Sequence, residues 1–241
     1  MTTYSGAGAA QRRLRAASRP VVRRLWDIEV IGYDRLPETG GAILCPNHIS
    51  FLDSAFLMLT APRNISFLGK AEYLDSWSTR FLFPALGMIP VDRSGGRQSV
   101  EALDSAAEVL RRGELFGVFP EGTRSRTGAL GNGHTGAARL ATRTGVPIYP
   151  VGITGTDEIQ APGARLPAVG KSCRIEIGEP IETESFRRPG EQRQAWRELT
   201  DTVMDAIAGL SGQRRAGDSS VVRLPERAAV VTADKQLASV S

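Results

Sequence analysis

Short apolar runs alternate along the chain with stretches of helical periodicity. Residues 28–33 (Ile-Glu-Val-Ile-Gly-Tyr) alternate as a half-buried strand does. After Gly40-Gly41, residues 42–45 form a continuous apolar run of the kind that makes a strand buried on both faces, closed by Pro46. Residues 53–61 read as a helix with an acid in its first turn, and 65–68 as another short strand. Val100, Leu103, Ala107 and Leu110 share one helical face within 98–112, and Gly113 ends that run. A buried strand is expected at 115–119, a helix at 136–144, a strand at 146–153, an alternating strand at 171–178 and a long amphipathic helix at 191–210. Strands interleaved with helices predict a single α/β domain over residues 28–211, with a mixed, largely parallel central sheet flanked by helices. Ahead of it, residues 1–27 form a basic arm. Val21, Val22, Leu25, Trp26 and Ile28 follow Pro20 at helical spacing, which predicts a short amphipathic helix there. From 212 to 241 aromatics and periodicity vanish, and that tail is expected to be disordered.

Composition narrows the class. With 41% hydrophobic and 23% charged residues in 241, the chain has material for a core and is not a mainly disordered one. Its apolar runs, such as 81–91, are too short to cross a bilayer, which argues against a multi-span protein. Residues 1–10 are small and polar, without the apolar region of a secretory signal. Cys45 and Cys173 supply neither a disulfide framework nor metal-ligand spacing, and point to a reduced, cytosolic setting. His48 and His134 are the two histidines, so no metal site built on several histidines is expected.

The net charge of +4 is an N-terminal feature. Arg12, Arg13, Arg15, Arg19, Arg23 and Arg24 stand in a stretch without an acid, which leaves 24 basic against 26 acidic residues in the remainder. Such an arm can meet nucleic acid or an anionic lipid surface. The apolar stripe beside the arginines favours the lipid surface, with Trp26 at head-group level, although the segment is too short to anchor alone.

Three clusters carry candidate chemistry. Asn47-His48-Ile49-Ser50-Phe51-Leu52-Asp53 leaves a buried strand and enters a helix. On a regular helix, residues five apart are rotated by about 140° and do not meet. They meet if His48 occupies the turn and Asp53 the helix start. The carboxylate then bonds one ring nitrogen and leaves the other as a proton acceptor. The competing reading is a histidine that caps the helix beside an unrelated aspartate. Phe119-Pro120-Glu121-Gly122-Thr123-Arg124-Ser125-Arg126 likewise follows a buried strand, where open α/β sheets bind ligands, and offers forked donors suited to phosphate. Gly87-Met88-Ile89-Pro90-Val91-Asp92-Arg93 adds another arginine. Taken singly, each is also compatible with a surface turn and a salt bridge.

In this order the clusters resemble the glycerolipid acyltransferase family, whose members acylate glycerol 3-phosphate and 1-acylglycerol 3-phosphate. The resemblance spans about residues 28–180. His48 and Asp53, with Asn47 before them, match the family's His-x4-Asp block; Gly87–Arg93 matches the second block, Phe119–Arg124 the Glu-Gly-Thr-Arg block, and residues 146–151 the proline-bearing fourth block. Lys70 stands where members carry a lysine implicated in phosphate binding. The resemblance implies His48 as general base, Asp53 as its orienting partner, and Lys70, Arg93 and Arg124 as substrate phosphate ligands. Asn47, Glu121, Gly122 and Thr123 shape the loops, with Glu121 paired to an arginine. The acyl donor is a thioester of coenzyme A or acyl carrier protein, with no bound cofactor or metal. The acceptor is 1-acylglycerol 3-phosphate, or alternatively glycerol 3-phosphate or another lipid alcohol. The expected location is cytoplasmic, peripheral on the inner face of the cell membrane, with the anionic surface as partner and no nucleic acid. A non-enzymatic alternative is a peripheral lipid-binding protein of the same fold.

At 131–136 the chain departs from many members: Gly-Asn-Gly-His-Thr-Gly places His134 where they carry a basic residue, and a helix-capping role is expected for it. The same stretch spells Gly-x-Gly-x-x-Gly. A dinucleotide site requires a strand directly before the first glycine, whereas residues 120–130 intervene. No Gly-x-Ser-x-Gly elbow or Walker-type loop occurs, and Ser50 reads as a turn residue.

Overall fold

The computed structural model describes residues 8–70, 87–91, 97–161, 163–164 and 166–216. Its strands are β1 (Trp26–Ile31), β2 (Ala42–Pro46), β3 (Ile65–Lys70), β4 (Met88–Val91), β5 (Leu115–Gly117), β6 (Ile148–Thr154) and β7 (Lys171–Ile177). Its helices are α1 (Gly8–Leu25), α2 (Leu52–Thr60), α3 (Arg97–Arg111), α4 (Gly136–Thr144), α5 (Thr156–Ile159) and α6 (Gln192–Ser211). The strands form one sheet in the order β1-β7-β6-β2-β5-β3-β4. Every pairing is parallel except β6–β7, so β1 and β7 run against the other five. This is the mixed, largely parallel sheet expected from the alternation of elements.

The continuous apolar run of β2 has a direct cause. Its side chains alternate between two cores, one on each face of the sheet. Ile43 and Cys45 join Phe116 and Ile148 beneath α3, α4 and α6. Ala42 and Leu44 join Leu115, Tyr149 and Val151 against Phe56, Leu57 and Met58 of α2. β2 and its neighbours β5 and β6 are therefore sealed along their length, and their carboxyl ends emerge together at one edge.

The N-terminal segment differs from expectation. The helix begins at Gly8, carries Pro20 inside it and ends at Leu25, while Trp26 and Ile28 belong to β1. Its inner face is held to the body by polar contacts as well as by apolar ones. Buried Gln11 donates to the Ile65 carbonyl (2.8 Å) and accepts from the Ile65 N–H (3.1 Å). Arg15 donates to the carbonyls of Ala61 (2.5 Å) and Arg63 (2.9 Å) and to Asn64 Oδ1 (2.8 Å). Val22 is buried, and the Trp26 ring packs on Phe56 (centroids 5.4 Å apart) with Nε1 donating to the Ala168 carbonyl. Of the apolar stripe expected there, Val22 is buried, Leu25, Trp26 and Ile28 are half-buried and Val21 is exposed, as are Arg12, Arg13, Arg19, Arg23 and Arg24. No helix among the described residues is long and apolar enough to cross a membrane.

Gln11→Ala should cost about 1–3 kcal/mol, because it strands a buried N–H and C=O of Ile65 beneath α1. Urea unfolding checks this, with a lowered midpoint at unchanged slope as the expected result.

Candidate active site

The turn between β2 and α2 folds around one carboxylate. Asp53, in the first turn of α2, is fully buried. Its Oδ2 accepts the N–H groups of Ile49 and Ser50 and the His48 Nδ1–H, each at 2.8 Å. Its Oδ1 accepts the Thr156 hydroxyl at 2.5 Å. Four donors fill the lone-pair sites of an ionised carboxylate, which is what makes its burial tolerable. The five-residue spacing brings ring and carboxylate together because His48 lies in the turn and Asp53 in the helix, as the sequence required. With Nδ1 committed to Asp53, the ring keeps Nε2 as its proton acceptor. The side chain of His48 is 19% exposed.

Thr156 has no counterpart in the sequence reading. It arrives at the end of β6 through Gly155, whose left-handed backbone (φ 83°) and close approach to the Ser172 carbonyl leave no room for a Cβ. Phe119, from the loop after β5, stacks on the His48 ring (centroids 3.9 Å, 23°), and Phe67 of β3 stacks on Phe119 in turn (5.6 Å, 24°). A column of aromatic rings therefore fixes the plane of the imidazole from one face.

Glu121 ties the two loops together. Its Oε1 accepts the backbone N–H of His48 and its Oε2 that of Gly131, both at 2.8 Å. The sequence reading paired it with an arginine, but the pocket it occupies is only 6% exposed and is furnished with backbone donors. Burial raises its pKa above the ordinary carboxylate value, opposed by those two N–H donors. A further bond, from the Ser125 N–H to the His48 carbonyl (2.7 Å), places exposed Arg124 beside the dyad. Gly122 and Thr123 lie in the same loop, both exposed. β3 brings the Lys70 backbone to the same edge of the sheet, while the Lys70 side chain and all of Arg93 lie outside the described residues.

Asn47 is fully buried and pairs with Ile153 in both directions, Nδ2 donating to its carbonyl (2.8 Å) and Oδ1 accepting its N–H (2.7 Å). Nδ2 also donates to Gln213 Oε1 (2.7 Å), and Gln213 Nε2 donates to the Gly128 carbonyl (2.8 Å). Leu130 exchanges backbone bonds with Arg214 (2.8 Å) and Ala216 (2.7 Å), and Arg215 pairs with Asp201 and Asp205 of α6. Residues 213–216, assigned on composition to a disordered tail, are thus a strap across the arginine loop. Low hydrophobicity misled because the strap is held by polar and backbone bonds.

His134 does not cap α4. The residue before that helix is Thr135, which makes no side-chain cap bond, and the His134 ring lies over Gly122, within 3.1–3.3 Å of where a Cβ would stand. Gly133 packs its backbone against Thr200 and Met204 of α6, again without room for a side chain. Packing of this loop thereby accounts for Gly133, and the Glu121 carboxylate lies close over Gly131, whereas a Cβ at Gly136 would meet nothing within 4 Å. Ser50 behaves as a turn residue, its hydroxyl donating to the Gln160 carbonyl (3.1 Å). Cys45 is buried and its thiol pKa is pushed up, which makes it a packing residue and no nucleophile. Among the described residues no group of three or more metal-ligating side chains is assembled.

The family described as Acyltransferase matches residues 27–154. The chain is 31% identical over 157 residues to the chloroplastic 1-acyl-sn-glycerol-3-phosphate acyltransferase LPAT1 of Arabidopsis thaliana, covering 65% of this chain and 44% of that protein. It is 31% identical over 130 residues to the 1-acyl-sn-glycerol-3-phosphate acyltransferase of Borreliella burgdorferi, covering 54% and 52% respectively. The chain thus spans about half the length of these relatives. The crystal structure of the 1-acyl-sn-glycerophosphate acyltransferase PlsC from Thermotoga maritima superposes with a TM-score of 0.63 at 24% identity, over 81% of this chain and 78% of that one, a likeness of fold.

The raised Glu121 carboxyl has a signed consequence. Because the folded state holds this proton more readily than the unfolded chain, its contribution to stability declines as pH rises from the ordinary carboxyl value through the raised one. Glu121→Gln should remove that part of the slope, as read by urea midpoints across the acid range. An unchanged slope would mean that Glu121 is not the titrating group.

Proposed function

The chain belongs to the acyltransferase family, and on that premise we propose that it moves a fatty acyl group from a thioester to the free hydroxyl of a 1-acylglycerol 3-phosphate, giving phosphatidic acid. The observation that carries this reading is the His48 ring held at Nδ1 by buried Asp53, at the edge where the Arg124 loop ends. An alcohol of very high pKa attacks the thioester carbonyl only if a base takes its proton as the bond forms. Nε2 of His48 receives that proton, and the Asp53 charge steadies the resulting imidazolium. The tetrahedral intermediate expels the thiolate, which takes the same proton back from Nε2. In this mechanism the substrate hydroxyl attacks directly and no acyl-enzyme forms; Ser50, in the same turn, is committed to the Gln160 carbonyl.

Arg124, with Lys70 and Arg93 by family likeness, grips the acceptor phosphate and so holds its hydroxyl near the base. The mechanism asks for no metal or bound cofactor. The donor is an acyl thioester of coenzyme A or of acyl carrier protein. The choice of acceptor is supported by the names of the relatives. A bilayer-resident acceptor requires the domain to work at a membrane surface. The exposed α1 arginines support an anionic one, with the protein peripheral on the inner face of the cell membrane.

Release of free thiol from acyl-CoA should be faster with a lysophosphatidate than with glycerol 3-phosphate. The reverse preference would reassign the acceptor, and no release with either acceptor, from acyl-CoA or from the acyl carrier protein thioester, would contradict the activity. His48→Ala should abolish transfer while the variant still folds, as read by circular dichroism, at a lowered melting temperature because Asp53 loses one of its donors. Asp53→Asn keeps an oxygen for the three N–H donors and offers an N–H toward Thr156, so it should leave the fold intact and lower kcat by roughly 10²–10⁴-fold through loss of charge. Arg124→Ala should chiefly raise KM for the phosphate-bearing acceptor. An unchanged acceptor KM would remove Arg124 from the phosphate site.

A further inference from the structure

Among the described residues, the exposed large apolar side chains are Leu166 (82%), Val169 (64%), Val21 (57%), Val100 (51%) and Phe51 (40%). Val21 lies near the end of α1 and Val100 on α3. Leu166, Val169 and Phe51 stand at the edge of the sheet that carries His48. Phe51 lies in the His48–Asp53 turn itself. Leu166 and Val169 lie between α5, which follows the carboxyl end of β6, and β7, which starts at that edge. The connection is hydrogen-bonded to the site at its described ends: Ser50 Oγ donates to the Gln160 carbonyl (3.1 Å) and the Ala168 N–H to the Ile159 carbonyl (2.7 Å). It is equally joined to the end of α1. The Gly170 N–H donates to the Leu25 carbonyl (2.8 Å), and Trp26 Nε1 to the Ala168 carbonyl (2.7 Å).

That second junction sets charge beside the apolar pair. Arg19, Arg23 and Arg24 on the last turns of α1, and Lys171 directly after the connection, are exposed. Asp27 and the α5 residues Asp157 and Glu158 are the exposed acids of this region, so the cationic side is the α1 side. Two protruding aliphatic side chains flanked by arginines match a bilayer surface, where cations meet anionic head groups and aliphatic groups enter the acyl boundary. An acidic protein partner would use the arginines but would have no need of aliphatic side chains this exposed.

We propose that the catalytic edge itself, through Leu166 and Val169 with Phe51 beside them and Arg23 and Arg24 as the charged flank, is the surface that enters an anionic membrane, so that α1 supplies charge and the β6–β7 connection supplies insertion. For the identity of its lipid the inference rests on the acyltransferase reading. In this orientation the exposed part of the His48 side chain faces the bilayer, and an acceptor reaches the base without leaving the membrane.

The test uses the full chain and vesicles of phosphatidylcholine with phosphatidylglycerol. The double substitution Leu166→Asp/Val169→Asp should lower vesicle partitioning on the order of 10²-fold, the scale of returning two aliphatic side chains to water. Turnover of a short-chain, water-soluble lysophosphatidate should stay at the parental level, while turnover of a long-chain acceptor presented in vesicles falls with binding. Arg23→Glu/Arg24→Glu should weaken binding mainly at low salt. Unchanged vesicle partitioning of the Leu166/Val169 variant would overturn the proposal. A loss confined to reactions with the thioester on acyl carrier protein would also overturn it, and would assign the edge to that protein. If neither parent nor variant releases thiol on the soluble acceptor, the acyltransferase reading fails, while the vesicle comparison still decides the surface.

Discussion

The site depends on a single buried carboxylate that is fully supplied with donors. Asp53 has no contact with solvent, and an ionised group there would be costly to fold around without hydrogen bonds. Two of its four donors are backbone N–H groups of the turn that it follows, one is the imidazole, and one is a hydroxyl more than a hundred residues away. The first two give the turn its shape, and the shape puts His48 in reach. The hydroxyl of Thr156 locks β6 to the same point. Charge, tautomer and backbone conformation are therefore one arrangement, and the polarity of the His48 ring follows from the way the chain closes on Asp53.

Around this centre, segments distant in sequence are fastened by polar bonds. Glu121 clamps the His48 N–H and the Gly131 N–H, Ser125 holds the His48 carbonyl, and Asn47 is shared between β6 and Gln213. The strap at 213–216 holds the arginine loop at Gly128 and Leu130 and is fixed to α6 by Arg215. Arg124 is thereby carried on a loop with several anchors while its own side chain remains exposed. In the proposed mechanism, that division suits a residue that finds the acceptor phosphate while His48 stays where it is.

Much of this was legible in the sequence, for identifiable reasons. The run at 42–45 announced a strand between two cores, and Ile43 and Leu44 do face opposite cores. The His48–Asp53 spacing was incompatible with a regular helix and so pointed to a turn, which the structure contains. Other features had no local signal. Thr156 and Phe119 reach the dyad through tertiary packing, and no spacing in the chain relates them to it. Glu121 invited an arginine partner because acids usually have one, yet it lies where backbone N–H groups converge. The apolar stripe at 21–28 is split between two elements, and periodicity does not say what covers a face: Val22 of α1 is buried, Trp26 of β1 packs on Phe56, and Val21 is exposed. The strap was hidden because backbone hydrogen bonds leave no compositional trace.

The claim that Asp53 holds His48 with Nε2 open is tested most directly by nitrogen NMR of the imidazole rings at a pH where they are neutral. The chain has two histidines, so His48 is assigned by comparison with a His134→Gln variant. The account predicts that neutral His48 carries its proton on Nδ1, with that proton protected from exchange and strongly deshielded. A ring protonated on Nε2, or one averaging freely between the two tautomers, would contradict it.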